Sequence, residues 1–270
     1  ITLLRVSLDF IGPMAYSYVD FIVRSIPKVS NDWSQNYLCQ ISNLIGKDNQ
    51  LFQKVLPDIF TLLTYIAINC HFEIPERIEA LNALQSLTVL DLQVIKPKFM
   101  KIVEVLTPNL EEVKDIDECV VSDETSYLID QLFQKCGNFS ELLEHILASD
   151  FEQPIAILRL LAIVLKADEA KEEDLTKVVF SIVQAANDES QIIRHFAIKC
   201  LNVLVSRTSD YNPQIIQCLL YLLSAETSME NIELAANAYT RCVKKLDTEY
   251  LTAISPMVGV AIRKLCQRVD

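Results

Sequence analysis

Glycine is scarce in this 270-residue chain, which contains only four. All-β folds and phosphate-binding loops depend on glycine for tight turns and for close approach of the backbone. Neither GxGxxG nor GxxxxGK[ST] occurs, so the usual signals of nucleotide binding are missing. Three of the glycines, Gly12, Gly46 and Gly137, separate apolar periodic segments, where we expect each to end a helix in the left-handed conformation. The composition therefore favours an all-helical protein.

Histidine is also rare, and the cysteines have no paired spacing. The three histidines are isolated from one another, and the eight cysteines form no CxxC. Without such clusters the sequence predicts no metal site, no cofactor and no catalytic residues. We expect His195 to lie on the surface of its helix. Cysteines spread in this way are typical of free, buried thiols, which predicts an intracellular protein of the cytoplasm or nucleus.

Long apolar runs and excess positive charge are missing as well. Hydrophobic residues make up 51% of the chain, yet no run approaches the roughly 18 residues that a membrane span needs. The net charge is −12, which disfavours nucleic acid as a partner because binding to phosphates relies on lysine and arginine. We therefore expect no membrane span and predict a protein partner, with a basic segment as its charge complement.

The chain contains helical hairpins, and the clearest covers residues 171–207. Its first helix carries apolar residues at the i, i+3, i+4, i+7 spacing of one buried face, namely Leu175, Val178, Val179 and Ile182. A polar turn follows at 187–190. The second helix places the small residues Ala197 and Cys200 where a neighbouring helix can approach closely. This stretch predicts two antiparallel helices.

Similar hairpins recur along the chain. Second helices are expected to start near residues 31, 76, 121, 152, 190 and 230, which is a spacing typical of helical repeats. No linker rich in glycine, serine or proline interrupts them, so residues 1–270 are predicted to form a single array of six to seven hairpins. Because the opening and closing stretches are apolar, we expect a fragment of a longer array or self-association through uncapped ends.

Local signals set two helix boundaries. Asn138 and Glu141 have the spacing of a capping box, which predicts a short helix from there through Ala148. Pro108 is expected to end the helix that precedes it.

One motif resembles a known family. Asp188, Arg194, Ala197 and Leu201 follow the pattern of an aspartate, five residues, an arginine, two residues, an alanine, three residues and a leucine. The same offsets return at Arg77, Ala80 and Leu84, although His71 replaces the aspartate. This pattern resembles the second helix of HEAT-type repeats, which are related to armadillo repeats. The resemblance implies an all-α solenoid, in which the aspartate and arginine form a structural ladder between repeats.

The resemblance implies a function by class. A non-enzymatic scaffold or adaptor that binds partner proteins through an extended helical surface is the first hypothesis. A karyopherin-like transport receptor for basic cargo is the first alternative, and a protein-docking region of a chromosome or DNA-damage-response assembly is the second. A third class places an enzymatic domain elsewhere in a longer parent chain.

Two acidic segments are the candidate partner-binding residues. Their members are Glu111, Glu112, Asp115, Asp117 and Glu118 in the first segment and Glu172 and Glu173 in the second. A basic segment of a partner could dock there, and a solvated loop between repeats is the alternative.

Overall fold

The computed structural model describes residues 56–87, 95–116, 118–149, 152–169, 171–207 and 213–269. Every regular element in these ranges is helical. The helices are α1 (Leu56–Ile68), α2 (Ile74–Leu87), α3 (Phe99–Glu111), α4 (Val120–Cys136), α5 (Phe139–Ala148), α6 (Pro154–Lys166), α7 (Glu172–Ala185), α8 (Gln191–Arg207), α9 (Pro213–Ala225), α10 (Met229–Val243) and α11 (Thr248–Val269). Among these described helices, none is both long and apolar enough to cross a membrane.

The helices are organised as consecutive hairpins in two compact units. In the first unit, α1 pairs with α2 and α3 with α4, while α1 also contacts α3 and α2 contacts α4. First helices thus pack on first helices and second helices on second helices. This arrangement is that of an all-α solenoid of HEAT-like repeats.

The second unit follows the same packing rule. It contains the hairpins α5–α6, α7–α8 and α9–α10, followed by α11. Helix α8 lies between α6 and α10, and α9 contacts both α7 and α11. Because α8 is covered on two sides, most of its circumference belongs to the core, as it does in α6.

The predicted repeat starts are confirmed within the described residues. The second helices begin at Ile74, Val120, Pro154, Gln191 and Met229, each within two residues of its expected start. The expected start near residue 31 lies outside the described residues. The period of the array was therefore readable from apolar spacing and turn residues.

Small residues allow the close approach that was expected in α8. Ala197 and Cys200 are fully buried, and the Cys200 thiol donates a hydrogen bond to the Leu158 carbonyl oxygen at 3.0 Å. Contact between a side chain of α8 and the backbone of α6 requires that no bulky group stands between them. Burial raises the pKa of Cys200 to about 12, so this thiol is a packing group.

The cysteines within the described residues are free thiols. Four of them are buried: Cys136, Cys200, Cys218 and Cys242. Burial also raises the pKa of Cys218 and that of Cys242 to about 11. These side chains act as small apolar residues.

Two local predictions are wrong. Pro108 does not end its helix, because α3 continues to Glu111; the proline lies so close to the end that few residues follow it. Gly137 follows α4 without adopting the left-handed conformation. It is needed for space instead, since an added Cβ would lie 2.7 Å from the Phe133 carbonyl oxygen. Gly12 and Gly46 lie outside the described residues.

The predicted cap at Asn138 is present. The Asn138 side chain accepts a hydrogen bond from the Glu141 backbone N–H at 3.4 Å, and α5 runs from Phe139 to Ala148. An N-cap of this kind satisfies one of the donors that the first turn of a helix leaves open.

Candidate functional site

Arg77 lies in the first turn of α2 and is almost completely buried, with 3% of its side chain exposed. Its guanidinium forms a bidentate ion pair with Glu112, which follows the last residue of α3, at 2.6 and 2.8 Å. The same group donates to the Ala67 carbonyl oxygen at the end of α1 and to Asn109 Oδ1 in α3. Arg77 therefore joins one hairpin to the next and satisfies a carbonyl that the helix end leaves open.

Arg194 occupies the same place in α8. Its Nε and Nη2 donate to the two carboxylate oxygens of Glu226, at 2.6 and 3.0 Å. Nη1 donates to the carbonyl oxygens of Asp188 and Glu189 in the turn before α8. The partner carboxylate of Arg194 thus comes from the next hairpin, and Asp188 contributes its backbone carbonyl.

Asp188 has a local role. Its side-chain oxygen accepts a hydrogen bond from the Ser190 backbone N–H at 2.8 Å, which fixes the turn that leads into α8.

The two ion pairs share one register. Each arginine is the fourth residue of its second helix, and each glutamate directly follows the last residue of the next first helix. The pairs are separated by 35 residues for Arg77 and Glu112 and by 32 residues for Arg194 and Glu226. The motif read from the sequence located both arginines but neither glutamate. Both glutamates could have been predicted from their position, because each lies in the turn between the two helices of the following hairpin.

Glu226 is more deeply buried than Glu112, the carboxylate of the other ion pair. Its side chain is fully buried and accepts from the backbone N–H groups of Thr227 and Ser228 as well as from Asn231 Nδ2. Burial alone would raise the pKa of Glu226, but Arg194 and these other donors outweigh it and hold the pKa at about 2. Glu226 therefore remains ionised at any physiological pH.

Asn231 extends this network to His195. Asn231 Nδ2 donates to Glu226 and to the Gln191 carbonyl oxygen, so its amide oxygen must be the atom that faces His195 Nδ1 at 2.9 Å. His195 consequently carries its proton on Nδ1. His195 Nε2 is buried and makes no hydrogen bond to the described residues.

The prediction that His195 lies on the helix surface is wrong, because the side chain is completely buried. Burial lowers the pKa of His195, and the charges of Lys199 and Arg159 lower it further, against the opposing effects of Asn231 and Glu230. The neutral imidazole packs edge to face on Phe196, at 5.3 Å between ring centroids. Arg159 of α6 lies over the Phe196 ring at 4.3 Å.

The remaining residues of the two motifs are packing residues. Ala80, Ala197 and Leu201 have no exposed surface, and Leu84 has 2%. Small alanines at these positions let the second helices approach one another.

The predicted acidic residues have different environments. Glu112 is 41% exposed and paired with Arg77, whereas Glu111 is half-buried in the last turn of α3. Asp115, Glu118 and Glu173 are exposed. Asp117 lies outside the described residues, as does the side chain of Glu172. In the described part of the chain, no three histidine, cysteine or carboxylate side chains come together as a metal site would require.

No protein-family model matches the chain, and a search of curated proteins by sequence gave no match. Solved structures of the karyopherin Kap121p are similar in fold. Kap121p bound to Pho4p matches with a TM-score of 0.77 and 15% identity over 97% of this chain and 29% of that one. Kap121p bound to RanGTP matches with a TM-score of 0.73 and 16% identity over 95% of this chain and 28% of that one.

A third structure, Kap121p bound to the extreme C-terminus of the phosphatase Cdc14p, matches with a TM-score of 0.74 and 16% identity, over 94% of this chain and 28% of that one. The chain thus spans less than a third of the karyopherin that it matches. At such low identity the similarity concerns the fold. Together with the helical packing and the arginine–glutamate pairs, it identifies the fold as an α-solenoid of HEAT-type helical repeats.

Proposed function

We propose that this chain is a non-enzymatic scaffold or adaptor that binds partner proteins through its helical-repeat surface. The observation that carries the proposal is that three polar side chains have structural roles. Arg77 and Arg194 hold neighbouring hairpins together through ion pairs, and His195 is buried. These three side chains thus have structural partners, and the exposed helix faces remain available to bind partner proteins. We also propose that the chain acts inside the cell, in the cytoplasm or nucleus, because free and widely spaced cysteines are typical of a reducing compartment.

Large apolar side chains on the surface support a binding role. Phe180 of α7 is 70% exposed, Met229 at the start of α10 is 64% exposed, and Ile74 at the start of α2 is 56% exposed. Aromatic side chains and methionine are enriched where proteins bind one another.

The test is affinity purification of the chain with quantification of what is bound. We expect at least one protein in a stoichiometric ratio, and we expect Phe180→Ser to reduce its recovery. Thr176→Ser, an exposed substitution on the same helix, is the matched control. The absence of any stoichiometric protein, or turnover of a substrate by the purified chain alone, would contradict the proposal.

A transport receptor is the second candidate, and the fold of Kap121p favours it. In those structures Kap121p is bound to RanGTP, to Pho4p or to the extreme C-terminus of Cdc14p. Under this proposal a basic localisation peptide binds the chain and a small GTPase in its GTP form releases it. Binding that is indifferent to the GTPase supports a scaffold instead.

We also propose that the exposed carboxylates Asp115, Glu118 and Glu173 contribute to binding a basic segment of the partner. Long-range attraction of this kind weakens with salt. Substitution of all three by the corresponding amides is expected to reduce partner recovery at low salt. Equal amide substitution at Glu144, Glu233 and Glu249, which are exposed elsewhere, is the control. Equal losses in the two variants would show that net charge alone matters.

The remaining hypothesis concerns assembly and is tested by light scattering. We propose that residues 1–270 form one array and that the chain self-associates through exposed apolar side chains of α11. Met257, Val260 and Ile262 are 46%, 47% and 55% exposed there. Ile262→Ser is expected to lower the average mass, whereas Leu147→Ser on α5, whose side chain is 44% exposed, should not. A monomeric wild-type chain would contradict self-association.

A further inference from the structure

A cavity of about 210 Å³ lies where the turn between α7 and α8 meets the end of α9. Its lining includes Asn187, Asp188 and Arg194 on one side and Tyr221, Glu226 and Thr227 on the other. Pockets for drug-sized ligands begin at roughly 300 Å³, so this cavity is too small for such a molecule. Its volume suits one long side chain.

The groups that face this cavity are chiefly hydrogen-bond acceptors. Asn187 Nδ2 donates to the Val183 carbonyl oxygen at 2.7 Å and lies 3.8 Å from Cys218 Sγ, so the amide presents its oxygen to a ligand. Asp188 is exposed, and one of its carboxylate oxygens accepts from the Ser190 N–H. Its second oxygen retains its capacity to accept. A ligand must therefore supply donors.

The charge of the cavity is negative despite the presence of Arg194. The guanidinium is already committed to both oxygens of Glu226 and to two backbone carbonyl oxygens. Because Arg194 and Glu226 neutralise each other, the carboxylate of Asp188 determines the charge that a ligand meets. This charge favours a cation.

Tyr221 supplies an aromatic surface beside that carboxylate. The residue is 56% exposed on α9, although most of its large apolar neighbours on that helix are buried. Cations bind the face of a tyrosine ring, and arginine does so most often because its planar guanidinium stacks. The same planar group can donate to a carboxylate and an amide oxygen simultaneously.

We propose that this cavity, named here the Tyr221 cavity, binds an arginine side chain from an extended segment of a partner protein. The guanidinium stacks on Tyr221 and donates to Asp188 and Asn187 Oδ1. The inference rests on the proposed function, since it names the chemistry of one contact between the scaffold and its partner. It assigns a ligand to a surface at the turns between hairpins.

The direct test uses an acetylated, amidated pentapeptide, Gly-Ser-Arg-Ser-Gly, and its counterpart with citrulline, which keeps the shape and loses the charge. Backbone NMR of the isotope-labelled chain reports where each peptide binds. We expect the arginine peptide to shift the amide signals of Asn187, Tyr221 and Thr227 and the citrulline peptide to leave them unchanged. A lysine peptide should bind more weakly than the arginine peptide.

Two substitutions test the assigned contacts. Tyr221→Leu removes the ring and Asp188→Asn removes the charge while it keeps an oxygen for the Ser190 N–H. Each should lower the affinity for the arginine peptide by about two- to fivefold, which is the range expected for exposed cation–π and ion-pair contacts. Tyr127→Leu, at a tyrosine 50% exposed on α4, and Glu144→Gln, on α5, are the matched controls and should leave the affinity unchanged.

Failure of this inference is distinguishable from failure of the proposed function. Equal binding of the citrulline peptide, shifts located away from the cavity, or full affinity in the Tyr221→Leu/Asp188→Asn double variant would overturn the arginine site. Thermal unfolding of each variant separates lost binding from lost structure. A stoichiometric protein partner recovered undiminished by the double variant would leave the scaffold proposal standing and the cavity without its assigned role.

Discussion

Arg194 and Glu226 show how one residue pair can hold two hairpins together. Arg194→Ala would leave Glu226 buried without its counter-charge, and removal of one partner of a buried pair typically costs about 3 to 5 kcal/mol. Because 18% of the arginine side chain is exposed, we expect a loss of about 3 kcal/mol in the free energy of unfolding. Chemical denaturation measures it.

Two further variants separate charge from geometry at this pair. Arg194→Lys keeps the charge but cannot form the bidentate contact, so its loss should be smaller than that of the alanine variant. Lys177→Ala breaks an exposed pair with Asp174 and should leave the melting temperature nearly unchanged. An Arg194→Ala variant as stable as Lys177→Ala would show that the pair contributes nothing.

Glu226 also makes stability depend on pH in acid. Its pKa in the folded chain is about 2, below the ordinary value of 4.5, so the folded state favours the ionised form. The stabilisation is fully present above pH 4.5 and is lost as the pH falls towards 2, amounting to about 3 kcal/mol. Glu226→Gln should flatten the stability curve in that range. An unchanged slope in this variant would contradict the shifted pKa.

His195 acts at higher pH. Its pKa is lowered in the folded chain, so the unfolded chain binds the proton more readily. The contribution of neutral His195 to the free energy of unfolding is therefore fully present above about pH 6.5, the ordinary pKa of histidine, and declines as the pH falls below it. We expect His195→Gln to remove this decline, measured by denaturation at pH 7 and pH 5. His71→Gln, at an exposed histidine, should retain it.

Helix α8 shows what packing on two sides requires of an element. Ala197 is fully buried in a helix that contacts both α6 and α10. Ala197→Leu adds volume where the helices are close, and we expect it to destabilise the chain by about 1 to 3 kcal/mol. Gln191→Leu places the same side chain at an exposed position of α8 and serves as the control in thermal unfolding. Equal melting temperatures of the Ala197→Leu variant and its control would show that α8 packs loosely enough against its neighbours to accept the larger side chain.

The end of α4 depends on Gly137. A Cβ there would collide with the Phe133 side chain and backbone, so Gly137→Ala is expected to lower the free energy of unfolding by about 1 to 3 kcal/mol. Gly259 in α11 is the matched position, because an added Cβ there meets nothing within 4 Å. Gly259→Ala should raise stability slightly, since alanine favours the helix. A neutral change at Gly137 would show that the turn can relax.

These elements also show what the sequence could and could not reveal. Repeat starts and the Asn138 cap were predictable because apolar spacing and capping are local. The burial of His195 was missed because periodicity was read as one buried face, whereas α8 is covered by α6 and α10. Glu226 was missed as the partner of Arg194 because 32 residues separate them, and only the stacking of hairpins brings them together.

For the whole molecule, charge decides which class of ligand is disfavoured. With 36 acidic and 24 basic residues the chain should show no salt-sensitive affinity for duplex DNA. Fluorescence anisotropy with a labelled duplex at 50 and 200 mM salt tests this. Binding that falls steeply with salt would favour the chromosome-associated alternative over the scaffold.

The two arginine–glutamate pairs, Arg77–Glu112 and Arg194–Glu226, also have a fixed order along the chain. In both pairs the arginine belongs to the earlier hairpin and the glutamate to the later one. During synthesis the arginine of each pair is therefore made before the glutamate that binds it. In the folded chain 18% of the Arg194 side chain is exposed, whereas the Glu226 side chain is fully buried. At this pair, folding in the order of synthesis therefore never leaves the Glu226 carboxylate buried without its counter-charge.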